Sequence, residues 1–135
     1  MHGWRGVERR CGARLALVGA GPIEAALQAH PYGHRVTFIP VLKNRDTLAD
    51  VLAALDLYIA AGPLETFGLS AIEAMACGTP VLTVNSSAVL EHMLSGGGFL
   101  FERGNLGSLA DLPVRLFAQN LSLADARAES CKCGA

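Results

Sequence analysis

Residues 64–81 read LETFGLSAIEAMACGTPV, and the rest of the chain is organised around them. Glu65 opens the stretch and Thr66-Phe67-Gly68 forms a turn. The run from Leu69 to Ala76 favours helix, and Cys77-Gly78-Thr79-Pro80 stops it. Residues 55–60, LDLYIA, read as a buried strand before it, and residues 81–84, VLTV, as a second strand after it. The order is strand, loop, helix, strand, with one carboxylate at the loop and another, Glu73, inside the helix.

That order has chemical content. In an open parallel sheet, ligands sit beyond the carboxyl ends of the strands, where loops meet helix N-termini. The first amides of a helix lack partners there and favour anions. Phe67, Gly68 and Leu69 are the residues that supply such N–H groups, and Gly68 lets a ligand approach the backbone. On a helix starting near Gly68, Ser70, Glu73 and Cys77 share one face, and Leu69, Ile72 and Ala76 another. The apolar set is therefore expected on the sheet and Glu73 toward the crevice. The plain structural alternative is that Glu65 only complements the helix dipole, worth about 0.3–1 kcal/mol, and that Glu73 is only solvated.

Working outward, residues 14–18 form a strand that runs into Gly19-Ala20-Gly21-Pro22. This is not a dinucleotide fingerprint, because Glu24 stands at the third glycine position. A tight turn with Pro22 near the first helical position is expected instead, then a helix over residues 23–29. Residues 35–39 form a strand ending at Pro40. Asp46 or Thr47 is expected to cap a helix reaching Ala54, with Leu48, Val51, Leu52 and Leu55 on its buried side. Residues 88–94 read as helix, 99–101 as a short strand and 106–117 as a last helix interrupted by Pro113. Alternating strands and helices imply an α/β fold, a Rossmann-like parallel sheet with helices on both faces. Residues 1–12 read as an irregular basic segment, 13–118 as the domain and 119–135 as a polar tail.

Composition narrows the function classes. The chain has 135 residues, about half of them apolar and 17% charged, which fits one globular domain. Its net charge of −1 implies no general attraction to nucleic acid. No apolar run is long enough to span a bilayer. Cys11, Cys77, Cys131 and Cys133 show no zinc spacing, no histidine has a companion at ligand spacing, and there is no Asp-x-Asp pair, so no metal site is expected. Cysteine usage fits a reducing cytoplasm.

The run ETFGLSAIEAMACGTPV, with Glu65, seven intervening residues and then Glu73, resembles the nucleotide-sugar-binding half of retaining glycosyltransferases with two Rossmann-like domains (the GT-B type, glycosyltransferase group 1). ALDLYIAAGPLE before it, Glu91 after a Val-Asn-Ser-Ser-Ala turn, and GGGFLFERGN extend the likeness over about residues 13–117. The resemblance implies hexose transfer from a nucleoside diphosphate sugar, with no cofactor and no metal. GDP-mannose is favoured because the wording is most similar to bacterial mannosyltransferases; a UDP-sugar fits the same frame.

The site residues also follow from the resemblance. It implies that Glu65 is the catalytic-site carboxylate bonding the donor's sugar hydroxyls, and that Thr66, Phe67, Gly68 and Leu69 face sugar and phosphates. Glu73 holds the ribose and Pro40-Val41-Leu42 lies against the base. The family's diphosphate-binding Arg and Lys are not matched, and the partner domain that receives an acceptor glycan or lipid, and would bring the enzyme to a membrane surface, is not in the sequence. The chain is thus expected to be part of a larger enzyme and inactive alone. The alternative is a non-catalytic module that binds nucleotide or a partner protein.

Overall fold

The computed structural model describes residues 4–60, 68–84, 98–102 and 104–119, and the single positions 125 and 128. The elements in chain order are α1 (Trp4–Cys11), β1 (Leu15–Val18), α2 (Glu24–Ala29), a 3-10 turn (Gly33–Arg35), β2 (Val36–Ile39), α3 (Arg45–Ala54), β3 (Tyr58–Ala60), α4 (Leu69–Ala76), β4 (Val81–Val84), β5 (Gly98–Phe101) and α5 (Leu106–Gln119). The helix expected over residues 88–94, Glu91 and nearly all of the tail lie outside the described residues.

Among the described residues every strand pairing is parallel, as a chain alternating strand and helix requires. Among the described residues β1 pairs with β2, and β3, β4 and β5 pair in that order, the parallel strands with intervening helices that the α/β, Rossmann-like reading expects. Leu15 faces Val36 in the first sheet; Tyr58 faces Val81 and Val81 faces Gly98 in the second. The pattern of apolar runs identifies strands but not their neighbours, so the pairing order could not be read from it. Burial differs between the two groups of strands. The four residues of β4, Thr83 included, are all buried, whereas Leu15, Ala16 and Leu17 of the wholly apolar β1 are half-buried and Val18 is 45% exposed.

Alternation along the second sheet produces two cores. On one face Ala60 and Val81 pack with Leu52 of α3 and Ala71, Ala74 and Met75 of α4. On the other, Leu82, Val84 and Phe101 pack with Leu109 and Leu112 of α5. Helices therefore cover both faces of the second sheet. α1 packs on α5 with Val7 fully buried, and Arg10 and Asp111 join the two helices at 3.0 Å. The segment expected to be irregular is thus a helix, held by a tertiary contact that local pattern does not show. α5 likewise continues through Pro113, which is buried with Val114 and Leu116. Burial of that apolar side offsets the lost backbone bond.

α3 starts one residue before the expected cap. Asn44 is the N-cap, and its Oδ1 accepts the N–H groups of Asp46 at 2.8 Å and Thr47 at 3.0 Å. Three cap-capable residues, Asn44, Asp46 and Thr47, flank Arg45, and only the backbone decides among them. Asn44→Ala is expected to lower unfolding stability by about 1 kcal/mol in urea titration. Asp46→Ala should shift it by no more than about 0.5 kcal/mol. The reverse order would restore the cap to Asp46. Among the described residues no helix is long and apolar enough to cross a membrane.

Candidate functional site

α4 is aimed by the crossover that contains it. β3 and β4 are parallel, so the helix between them runs back along the sheet and its N-terminus lies at the sheet's carboxyl edge. Gly68 is the N-cap, with φ 61° and ψ 27° in the left-handed region. A Cβ in that conformation costs about 1–2 kcal/mol, which explains glycine there. Gly68 is buried, its carbonyl accepts the Ile72 N–H at 2.9 Å, and it brings no side-chain cap to the first turn. A helix N-terminus of this kind favours an anion.

The far end of α4 closes on Gly78, at φ 76°, whose N–H donates to the Met75 carbonyl at 2.8 Å. Between the two glycines the helix buries Ala71, Ala74 and Met75. The exposed stripe is Leu69, Glu73 and Ala76, with Leu69 67% exposed. The expectation that Leu69, Ile72 and Ala76 face the sheet is therefore corrected. LSAIEAMA is apolar at six of eight positions and has little phase, and the small Ala71 and Ala74 allow the closest approach to β3 and β4. Glu73 stays exposed, one turn along from Leu69. Cys77 is half-buried against the core rather than open to the crevice.

Pro40 and Val41 are exposed and Leu42 half-buried, just past the carboxyl end of β2. They belong to the first sheet, whereas Glu73 belongs to the second. The structure joins the two groups through α3, which begins shortly after Leu42 and packs on α4. Glu65, Thr66 and Phe67 lie outside the described residues.

A cavity of about 490 Å³ opens at the carboxyl end of β5 and the start of α5, lined by Phe101, Glu102, Asn105, Ser108, Asp111 and Arg115 among others. β5 is parallel to β4, so this cavity and the start of α4 share one edge of the sheet. None of its polar residues was given a role from the sequence, although the stretch GGGFLFERGN contributes both Glu102 and Asn105. Among the described residues no group of His, Cys, Asp and Glu is arranged to hold a metal ion.

Comparison with known proteins bears on the family and the fold. The family model described as Glycosyl transferases group 1 matches residues 2–119. The GDP-mannose-dependent alpha-(1-6)-phosphatidylinositol dimannoside mannosyltransferase of Mycobacterium tuberculosis is 40% identical over 86 residues, which cover 64% of this chain and 23% of that protein. The N-acetyl-alpha-D-glucosaminyl L-malate synthase of Bacillus anthracis is 35% identical over 106 residues, 77% of this chain and 28% of that one. The chain thus spans about a quarter of the length of these relatives. Among solved structures, Anabaena Alr3699/HepE in complex with UDP-glucose superposes with a TM-score of 0.79 at 21% identity, covering 99% of this chain and 40% of that one.

Proposed function

The chain belongs to the group 1 glycosyl transferases, and from that membership we propose that it is the donor-binding half of an enzyme moving a hexose from a nucleoside diphosphate sugar to an acceptor hydroxyl with retention. GDP-mannose is the favoured donor. The M. tuberculosis relative, whose name states dependence on GDP-mannose, supports it, while the B. anthracis relative is named for a different sugar. The acceptor is a glycan or lipid held by a second domain, at the cytoplasmic face of a membrane.

The observation that carries this reading is the start of α4. Gly68 is buried in a left-handed turn without a side-chain cap, at the carboxyl edge of a parallel sheet, with Glu73 exposed on the same stripe as Leu69. In the proposed arrangement Glu73 accepts hydrogen bonds from the ribose hydroxyls and Pro40-Val41-Leu42 flanks the base. Thr66 and the N–H groups of Phe67, Gly68 and Leu69 face the sugar and diphosphate, and Glu65 holds the hexose hydroxyls. Negative charge grows on the diphosphate as the anomeric bond breaks. Amide donors fixed in place stabilise that charge without reorganising.

No metal is needed in this scheme, since the sequence has no Asp-x-Asp pair to bind one. Calorimetric titration of the chain with GDP and GDP-mannose is expected to show binding in EDTA, unchanged by added Mg²⁺ or Mn²⁺. Binding that disappears in EDTA and returns with either cation would exclude the proposed site, and no binding under any condition would exclude the donor function.

A further inference from the structure

We propose that Thr79 is a positioning residue that holds the ribose side of the nucleoside site in register with the base side. The inference rests on the donor-site reading above, since it concerns how two parts of that site are kept together. Those parts stand on different sheets. Pro40-Val41-Leu42 follows β2 of the first sheet, whereas Glu73 rides on α4 over the second, and no strand pairing among the described residues joins the two sheets. Their connection runs through α3, which leaves the base loop and packs on α4.

Thr79 sits at that junction with 0% exposure. Its N–H donates to the Ala74 carbonyl of α4 at 2.9 Å, and its Oγ1 donates to the Leu52 carbonyl of α3 at 2.6 Å. One residue therefore grips the last turns of both helices. The hydroxyl is not required to satisfy Leu52, because that carbonyl also accepts the Leu55 N–H at 3.1 Å. Leu52 itself is buried among Ala71, Ala74 and Met75, so a methyl in place of the hydroxyl would suit the surroundings. What the hydroxyl adds is direction: a short, buried hydrogen bond fixes the offset between α3 and α4, which packing of small apolar side chains leaves freer. Carboxylate recognition of two adjacent hydroxyls tolerates little displacement, so the offset is felt at Glu73.

The test is a double-mutant cycle read by calorimetric titration of the 135-residue chain with GDP and with UDP. Thr79→Val is expected to weaken both nucleotides about fivefold, as loss of one hydrogen bond's alignment implies. In a Glu73→Gln background the same change should have no further effect. Thr79→Ser, which keeps the hydroxyl, should bind in each background like the protein that retains Thr79. Equal loss from Thr79→Val with and without Glu73 would make Thr79 a core residue only and overturn the proposal while leaving the ribose reading intact. Parent-like binding by Glu73→Gln alone would overturn both. Should Thr79→Val fail to fold, Thr79→Ser decides: parent-like affinity supports the role of the hydroxyl, and a fivefold loss overturns it.

Discussion

Glu73→Gln is expected to weaken binding of GDP or UDP by tenfold or more. A hydrogen bond to a charged group contributes about 1.5–3 kcal/mol, and about 1.4 kcal/mol corresponds to a factor of ten in affinity. The carboxylate can accept from both ribose hydroxyls. The amide keeps one acceptor and turns a donor toward the other hydroxyl, so the loss is large but not total. The fold itself gains little from Glu73. It is exposed and lies in the last turn of α4, where a negative charge opposes the helix dipole. Glu73→Gln should therefore leave the unfolding midpoint unchanged or slightly raised, and a residue that breaks a local rule without structural return points to function. A ligand arm sharpens the measurement. The 2′-deoxy nucleotide should bind the parent more weakly than the ribonucleotide, and that difference should shrink in the variant. Equal affinity of variant and parent for both nucleotides would remove Glu73 from the site.

How far the site was legible depends on what kind of signal each residue carried. Leu69–Ala76 was bounded correctly because Gly68 and Gly78 punctuate it, and the structure finds both at positive φ. The face of the same helix was misread, because six apolar positions in eight leave no stripe to follow and the choice falls to Ala71 and Ala74 packing on the sheet. β4 was legible from the β-branched, mostly apolar run Val81-Leu82-Thr83-Val84. The strand expected over residues 55–60 narrows to Tyr58–Ala60, because the Leu55 N–H is spent on the Leu52 carbonyl in closing α3. α1 was missed although Trp4, Val7 and Cys11 stand at helical spacing, because a short segment with Arg5, Arg9 and Arg10 reads first as basic; Val7 against α5 and Glu8 meeting Arg35 at 3.1 Å hold it. Thr79 is the instructive case. In sequence it is one letter of a helix stop, and nothing local says that its hydroxyl reaches a carbonyl 27 residues away.

Glu65→Gln is expected to separate nucleotide from nucleotide sugar. Glu65 lies outside the described residues, so its case rests on spacing: three residues before Gly68 and eight before Glu73. If Glu65 only favours the start of α4, its loss should cost no more than about 1 kcal/mol of stability and leave every ligand's affinity unchanged. If it holds the hexose, GDP should bind variant and parent alike, while GDP-mannose loses the added affinity that the sugar contributes. A charge-assisted hydrogen bond to a hydroxyl again sets the size at about 1.5–3 kcal/mol, tenfold or more in the dissociation constant. In an enzyme reconstituted with an acceptor domain the same change should depress kcat as well as binding. The hexose must be held most firmly where its anomeric bond is breaking, and interactions stronger there than in the ground state appear in turnover. The paired titration discriminates in each direction. The same loss for GDP and GDP-mannose would mean that Glu65 shapes the turn leading into Gly68 rather than touching sugar. No loss for either would return it to a partner of the helix dipole, and the hexose would then need another carboxylate or amide at the carboxyl edge of β3.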